Sequence, residues 1–177
     1  PKSKYPFLCT NFYNLQPCCG SCNKRKSAQD LPYSLYYEDG EPHPSPLHFA
    51  ISPQDVIAFQ TKGKCRGIKA YLCDDEKPGQ SVVAKKDGTL AERFNFIFDI
   101  DKIYAEHDDE VEELLWRNRI YTKGIVDAAN QQFADLDIEG FDFDRYILGT
   151  YAKKDEALKR PLTVMKQDVW EQIMKVE

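Results

Sequence analysis

Pro32, Pro42, Pro44 and Pro46 all fall within residues 31–46. Proline has no backbone N–H and a fixed φ, so this stretch cannot run as an unbroken helix or a central strand. It reads as a connector that divides the chain into a short first part, residues 1–30, and a longer second part, residues 47–177. With 177 residues the chain suits one ordinary domain carrying a small module.

The second part changes period along its length. Leu47–Ile51, Val56–Thr61 and Ile68–Cys73 are short apolar runs bounded by Pro, Gly and charged residues, which is a strand pattern. Arg93–Asp101 alternates, with Phe94, Phe96, Phe98 and Ile100 on one face and Asn95, Asp99 and Asp101 on the other, and is expected to be a half-buried strand with the phenylalanines in the core. Lys86-Asp87-Gly88-Thr89 is a turn, suited to a hairpin or its neighbour. From there the period is helical. Val111, Leu114, Leu115, Asn118, Tyr121, Ile125, Val126 and Ala129 form one stripe, interrupted by the polar Asn118, with Asp108 or Asp109 as its cap and Gly124 near its centre. The acids of Glu106–Glu113 belong to that helix start. A short helix is expected over Asp142–Leu148, stopped by Gly149, and a last one from about Pro161 to Met174. Strands over about 47–101 followed by helices over about 108–176 define an α+β class with an antiparallel sheet and C-terminal helices.

The first part differs in charge and chemistry. The chain carries a net charge of −5, but residues 1–29 hold Lys2, Lys4, Lys24, Arg25 and Lys26 and no acid. The remaining 19 basic and 29 acidic residues make the rest strongly negative. A local basic cluster is what a polyanion responds to, and it is also what a solvated chain end looks like. Four of the six cysteines, Cys9, Cys18, Cys19 and Cys22, lie here too. A close Cys-x-x-Cys points to metal or redox chemistry before a disulfide framework. Cys65 and Cys73 sit in apolar stretches and are expected to be buried small hydrophobes. Residues 1–13 read as an ordered loop and Asn14 to Cys18 as a short strand. A helix is expected to start near Gly20 or Ser21, with Ser21 as N-cap, and to end by Asp30.

The string Asn14-Leu15-Gln16-Pro17-Cys18-Cys19-Gly20-Ser21-Cys22-Asn23-Lys24-Arg25-Lys26 resembles the second half of the HNH-type ββα-metal nuclease motif. Pro1-Lys2-Ser3-Lys4-Tyr5-Pro6 is similar to the stretch that follows a His-Phe-x in one HNH subgroup, some of whose members are prokaryotic defence nucleases paired with an ATPase. The resemblance covers roughly the first 30 residues. It implies a partial ββα-metal element in which Asn14 is the middle Asn that orients the loop. It also makes Asn23 the helix ligand of a catalytic Mg²⁺ or Mn²⁺, and Cys19 and Cys22 the second pair of a structural Zn²⁺ site.

The resemblance also places the general-base His, the first metal ligand and the other Cys-x-x-Cys pair ahead of Pro1, so the chain as given is expected to be inactive alone. None of His43, His48 and His107 takes the base position. The function implied is hydrolysis of DNA phosphodiester bonds, with Lys2, Lys4, Lys24, Arg25 and Lys26 on the phosphate backbone and a partner protein such as an ATPase.

The residue types suit those roles. Two thiolates can face a tetrahedral Zn²⁺ at ~2.3 Å but make only half a structural site. A neutral amide oxygen suits a hard cation. The ordinary alternatives stand beside them: free thiols or a local disulfide for Cys19 and Cys22, a capping role for Asn23, turn preference for Asn14. A non-catalytic zinc-stabilised module that binds nucleic acid or protein is the alternative function. No apolar run approaches the ~20 residues of a membrane span. The polar, proline-bracketed start does not resemble a signal peptide, so no membrane partner and a cytoplasmic location are expected.

Overall fold

The computed structural model describes residues 3–4, 6–8, 18–32, 45–74, 79, 83–135 and 143–175. Among them the chain is a mixture of helix and strand, consistent with the α+β class. A short helix α1 (Gly20–Lys26) comes first. Strand β1 (His48–Ile51), helix α2 (Pro53–Lys62) and strand β2 (Ala70–Cys73) follow. Helices α3 (Leu90–Phe98), α4 (Ile100–Tyr104), α5 (Asp108–Ile120), α6 (Lys123–Asp135), α7 (Phe143–Leu148) and α8 (Thr163–Met174) make up the rest, with 3₁₀ turns at Pro6–Leu8, Ala105–His107 and Lys154–Lys159.

The sheet among the described residues has two antiparallel strands, with His48 opposite Cys73 and Ile51 opposite Ala70. Such a pair is marginal alone because each strand leaves an unpaired edge. Here helix side chains close both edges. Asp168 and Gln172 lie four apart and therefore on one face of α8. The Phe49 N–H donates to Asp168 Oδ2 at 3.0 Å, the Ile51 N–H to Gln172 Oε1 at 2.9 Å, and Gln172 Nε2 donates to the Ile51 carbonyl at 3.0 Å. On the other edge the Leu72 N–H donates to Asp101 Oδ1 at 3.0 Å. Asp101 is held in turn by Asn95, whose Nδ2 donates to its Oδ2 at 3.0 Å and whose Oδ1 accepts its backbone N–H at 2.9 Å.

The apolar core fills the space between this ribbon, α5 and α8. Ile51, Ile68, Leu115, Met165 and Val169 are completely buried, with Leu114 and Ile173 beside them. Cys65 and Cys73 are buried, as expected of small hydrophobes.

β1, β2, α7 and α8 fall close to their sequence expectations, and Gly149 ends α7 with a φ of +64°. The last helix starts two residues later than expected, at Thr163, so Pro161 precedes it.

Two of the expected strands are helices. Val56–Thr61 belongs to α2, whose limits are written locally. The Ser52 hydroxyl accepts the Asp55 N–H at 3.1 Å, Pro53 opens the first turn, and Gly63 closes the helix at φ +65°.

Arg93–Asp101 is helical as well, across α3 and the start of α4. A capping box, Thr89 with Glu92, nucleates α3: the Thr89 N–H donates to Glu92 Oε2 at 2.9 Å, and the Thr89 hydroxyl accepts the Glu92 N–H. Burial follows the helical period. Phe94 and Phe98, four apart, meet with ring centroids 5.7 Å apart, Phe96 is 42% exposed, and Asn95 is buried against Asp101. The Lys86–Thr89 turn therefore feeds a helix and not a hairpin.

The long stripe from Val111 to Ala129 is two helices. The backbone leaves α-geometry at Tyr121 (φ −104°, ψ 72°), and α6 restarts with the Ile125 and Val126 N–H groups on the Thr122 carbonyl, so Gly124 lies in a first turn. His107, at the end of a 3₁₀ turn, takes the N-cap position of α5 in place of Asp108 or Asp109, with no side-chain cap bond. The acids of that region form ordinary ion pairs: Glu110 with Lys166, Glu112 with Arg66 and Glu113 with Arg117. No described helix is long and apolar enough to cross a membrane.

Gln172 tests the edge closure. Gln172→Leu leaves the buried Ile51 N–H and carbonyl without these partners and should cost about 2 kcal/mol in urea unfolding. A loss below about 0.5 kcal/mol would show that the ribbon does not need it.

Candidate functional site

α1 is short and has no buried residue, so its own sequence must define its start. Cys19 does this. It takes the N-cap position in extended geometry (φ −68°, ψ 160°), and its Sγ accepts the Cys22 N–H at 3.3 Å while its carbonyl accepts the Asn23 N–H at 2.9 Å. Ser21, the expected cap, lies inside the helix. The C-terminal end is at Lys26, where Ser27 turns to φ +46°.

The cap has a chemical consequence. The Cys22 N–H, together with the Cys22 side chain, favours the charged form of the exposed Cys19 and lowers its pKa below the ordinary thiol range. Cys22, half-buried beside it, moves the opposite way through its side-chain contact with Cys19, its burial and the Cys19 charge. The two thiols are therefore shifted apart, Cys19 toward the charged form and Cys22 away from it. Cys18, Cys19 and Cys22 are all unbridged. The local disulfide that the sequence left open is not present between Cys19 and Cys22 in this structure.

Asn23 follows directly and is exposed on α1. The structure thus brings Cys19, Cys22 and Asn23 together on one helical turn. Asn14 and Lys2 lie outside the described residues, as do residues 14–17 of the expected strand.

The other basic residues divide. Lys24 is exposed and Lys26 half-buried on α1. Lys4 pairs with Asp30 at 3.0 Å, and that hydrogen bond is the main reason the Asp30 carboxyl titrates below its usual range. Arg25 is the tether of the module: its Nη1 donates to Asp99 Oδ2 at 2.6 Å and to the Phe98 carbonyl at 3.0 Å, where α3 gives way to α4. Sequence reading gave Arg25 only a phosphate role and did not anticipate this contact, because the partner lies 74 residues away.

Among the described residues no three His, Cys, Asp or Glu side chains converge in a way that could hold a metal ion. Cys19 and Cys22 at α1 are two soft ligands three residues apart at a helix start and could hold one side of a tetrahedral zinc site. His48 lies on β1, and the His107 ring meets Tyr104 edge-on ahead of α5. His43 is outside the described residues. Two cavities of about 640 and 830 Å³ run along α8, and no residue of α1 lines either. No family model, curated protein or solved structure matches the chain.

The opposed shifts of the cysteine pair give a direct test. Cys19 should react with iodoacetamide at a lower pH than Cys22, because its thiolate is already present where Cys22 is protonated. Peptide mass spectrometry of a pH series would read this. Equal pH midpoints for the two would remove the cap's electrostatic effect.

Proposed function

We propose that the chain is part of a metal-dependent DNA endonuclease of the HNH type. The observation that carries this reading is the turn Cys19–Asn23: a cysteine N-cap whose Sγ accepts the Cys22 N–H, a second thiol on Cys22 and an amide side chain next in line, on a helix with Lys24, Arg25 and Lys26. Its residues would act as follows. Cys19 and Cys22 hold one side of a structural Zn²⁺ and fix the start of α1. Asn23 offers its side-chain oxygen to Mg²⁺ or Mn²⁺. A bound divalent cation supplies Lewis acidity at the scissile phosphate and stabilises the departing oxygen. Lys24 and Lys26 offer charge to the flanking phosphates, whereas Arg25 is occupied in holding α1 against α3. In this reading the general base that deprotonates the attacking water, and the remaining metal ligands, come from residues ahead of Pro1. An ATPase partner and a role in prokaryotic defence extend the same reading.

A non-catalytic zinc-stabilised binding module is the second reading. It is favoured by the commitment of Arg25 and Lys4 to carboxylates of the chain itself.

Nicking of supercoiled plasmid by the full-length protein separates the two. With Mg²⁺ or Mn²⁺ the nuclease reading expects cleavage that falls by about 100-fold or more in Asn23→Ala, at least as much as loss of an outer partner of a metal costs. It also expects bound zinc that is lost in the Cys19→Ser/Cys22→Ser double variant. Full-length protein that binds DNA and zinc but never nicks would favour the second reading. Undiminished nicking by Asn23→Ala would take the metal role from that residue.

A further inference from the structure

The chain carries a second basic cluster, at the opposite end of the sequence from α1. Between residues 144 and 160 it holds Arg145, Lys153, Lys154, Lys159 and Arg160 against Asp144, Asp155 and Glu156, in a chain of net charge −5. The fold gathers three of these cations around one ring. Arg145 Cζ lies 4.4 Å from the Tyr151 ring centroid, Lys159 Nζ 5.2 Å and Arg160 Cζ 5.9 Å. Each is within cation–π range, so the three charges sit within roughly one Debye length of one another.

The ring's quadrupole offsets only part of their mutual repulsion. Asp144, Asp155 and Glu156 are the carboxylates of this stretch, and Glu156 and Asp155 both act on Lys159. Glu156 pairs with Lys159, and its carboxyl is held low first by that hydrogen bond, with Lys153 and Arg145 adding to it. One carboxylate thus serves several cations. No carboxylate of the chain is paired with the exposed Lys153 or Arg160 among the described residues. Lys154 faces the other way, toward Asp168 at 2.6 Å and Glu171 at 3.5 Å. Next to Arg145, Tyr146 is 65% exposed, and Leu158 beside Lys159 is 94% exposed. Cations interleaved with exposed aromatic and apolar side chains form a surface suited to a phosphate backbone and its sugars.

We propose that the face formed by α7 and the Lys154–Lys159 turn is a second DNA-backbone contact, in which Lys153 and Arg160 face phosphates and Tyr146 and Leu158 lie against sugars. It rests on the nuclease reading only in taking DNA as the partner. The contact carries no base-specific readout. It adds a grip on the duplex remote in sequence from the cleavage element, with Tyr151 keeping Arg145, Lys159 and Arg160 converged when no DNA is bound.

The experiment is fluorescence anisotropy of a labelled 20-base-pair duplex with full-length protein, across a salt series and without divalent metal. Each phosphate contact contributes about 0.9 to the slope of log affinity against log salt. Lys153→Ala/Arg160→Ala should therefore lower that slope by about two and weaken binding roughly 10-fold at about 0.1 M salt. Arg160→Lys should keep most of the slope, and Lys102→Ala, on the exposed face of α4, should leave binding unchanged. Thermal unfolding of the double variant separates lost binding from lost folding.

An unchanged slope and affinity in the folded double variant, with the wild type still binding, would overturn this surface and leave the nuclease reading standing. If Arg160→Lys loses as much as Arg160→Ala, the residue acts through its packing on Tyr151 and the proposal fails. A wild type that neither binds duplex at low salt nor nicks plasmid removes both the surface and the nuclease reading.

Discussion

The outer edge of β1 is closed by Asp168 and Gln172 of α8, and the rest of the fold is arranged around that closure. A buried strand edge without partners leaves N–H and carbonyl groups that each cost about 1–3 kcal/mol. Covering it with a third strand would have used another segment of chain. Covering it with a helix face brings α8 against the ribbon and places Met165, Val169 and Ile173 in the core beside Ile51. Asp168 then works twice: it accepts the Phe49 N–H and it pairs with Lys154, so the 3₁₀ turn before α8 is fixed by the same carboxylate. Burial opposes the Lys154 charge, but its contacts with Asp168 and Glu171 outweigh this and hold its pKa above the ordinary lysine value.

The second edge is closed by the same principle and leads to the candidate site. Asp101 covers β2, and the residue that turns the chain so that Asp101 can do so is Asp99, in a left-handed conformation at φ +53°. Asp99 also receives Arg25. One junction between α3 and α4 thus closes the sheet and anchors the helix that carries Cys19, Cys22 and Asn23. The ion pair is half-exposed on both sides and contributes little, on the order of 1 kcal/mol or less. Its second bond, to the Phe98 carbonyl, gives it direction. α1 is therefore a docked module whose attachment is polar and shallow, while its internal geometry is set by its own cysteine cap.

Two errors of sequence reading have the same origin. The phenylalanines of residues 94–98 alternate, and alternation of large apolar residues is a strand pattern; yet Thr89 and Glu92 spell a helix start just before them. Ser52-Pro53 and Gly63 bracket Val56–Thr61 in the same way. In both segments the local capping groups were legible, and they outweighed the periodicity of a short window, because a few residues fit either period and a cap bond fits only one. The break at Tyr121–Thr122 had a weaker marker, Thr122 ahead of Lys123 without the Glu or Gln three residues on that completes a capping box. The stripe of Val111 to Val126 keeps helical spacing through it, so the split into α5 and α6 is decided by packing.

The sequence by itself determined the mixed class and the limits of the capped helices. It also placed the Cys19–Asn23 turn and the basic character of both α1 and the 144–160 segment. These depend on neighbours within a few residues, where spacing, capping and charge act directly. The tertiary structure alone decided which side chains close the sheet edges, that Arg25 holds α1 to Asp99, and that Arg145, Lys159 and Arg160 meet over Tyr151. Those are encounters between polar groups up to 121 residues apart. Their partners share no period or motif, so nothing short of the packed chain identifies them.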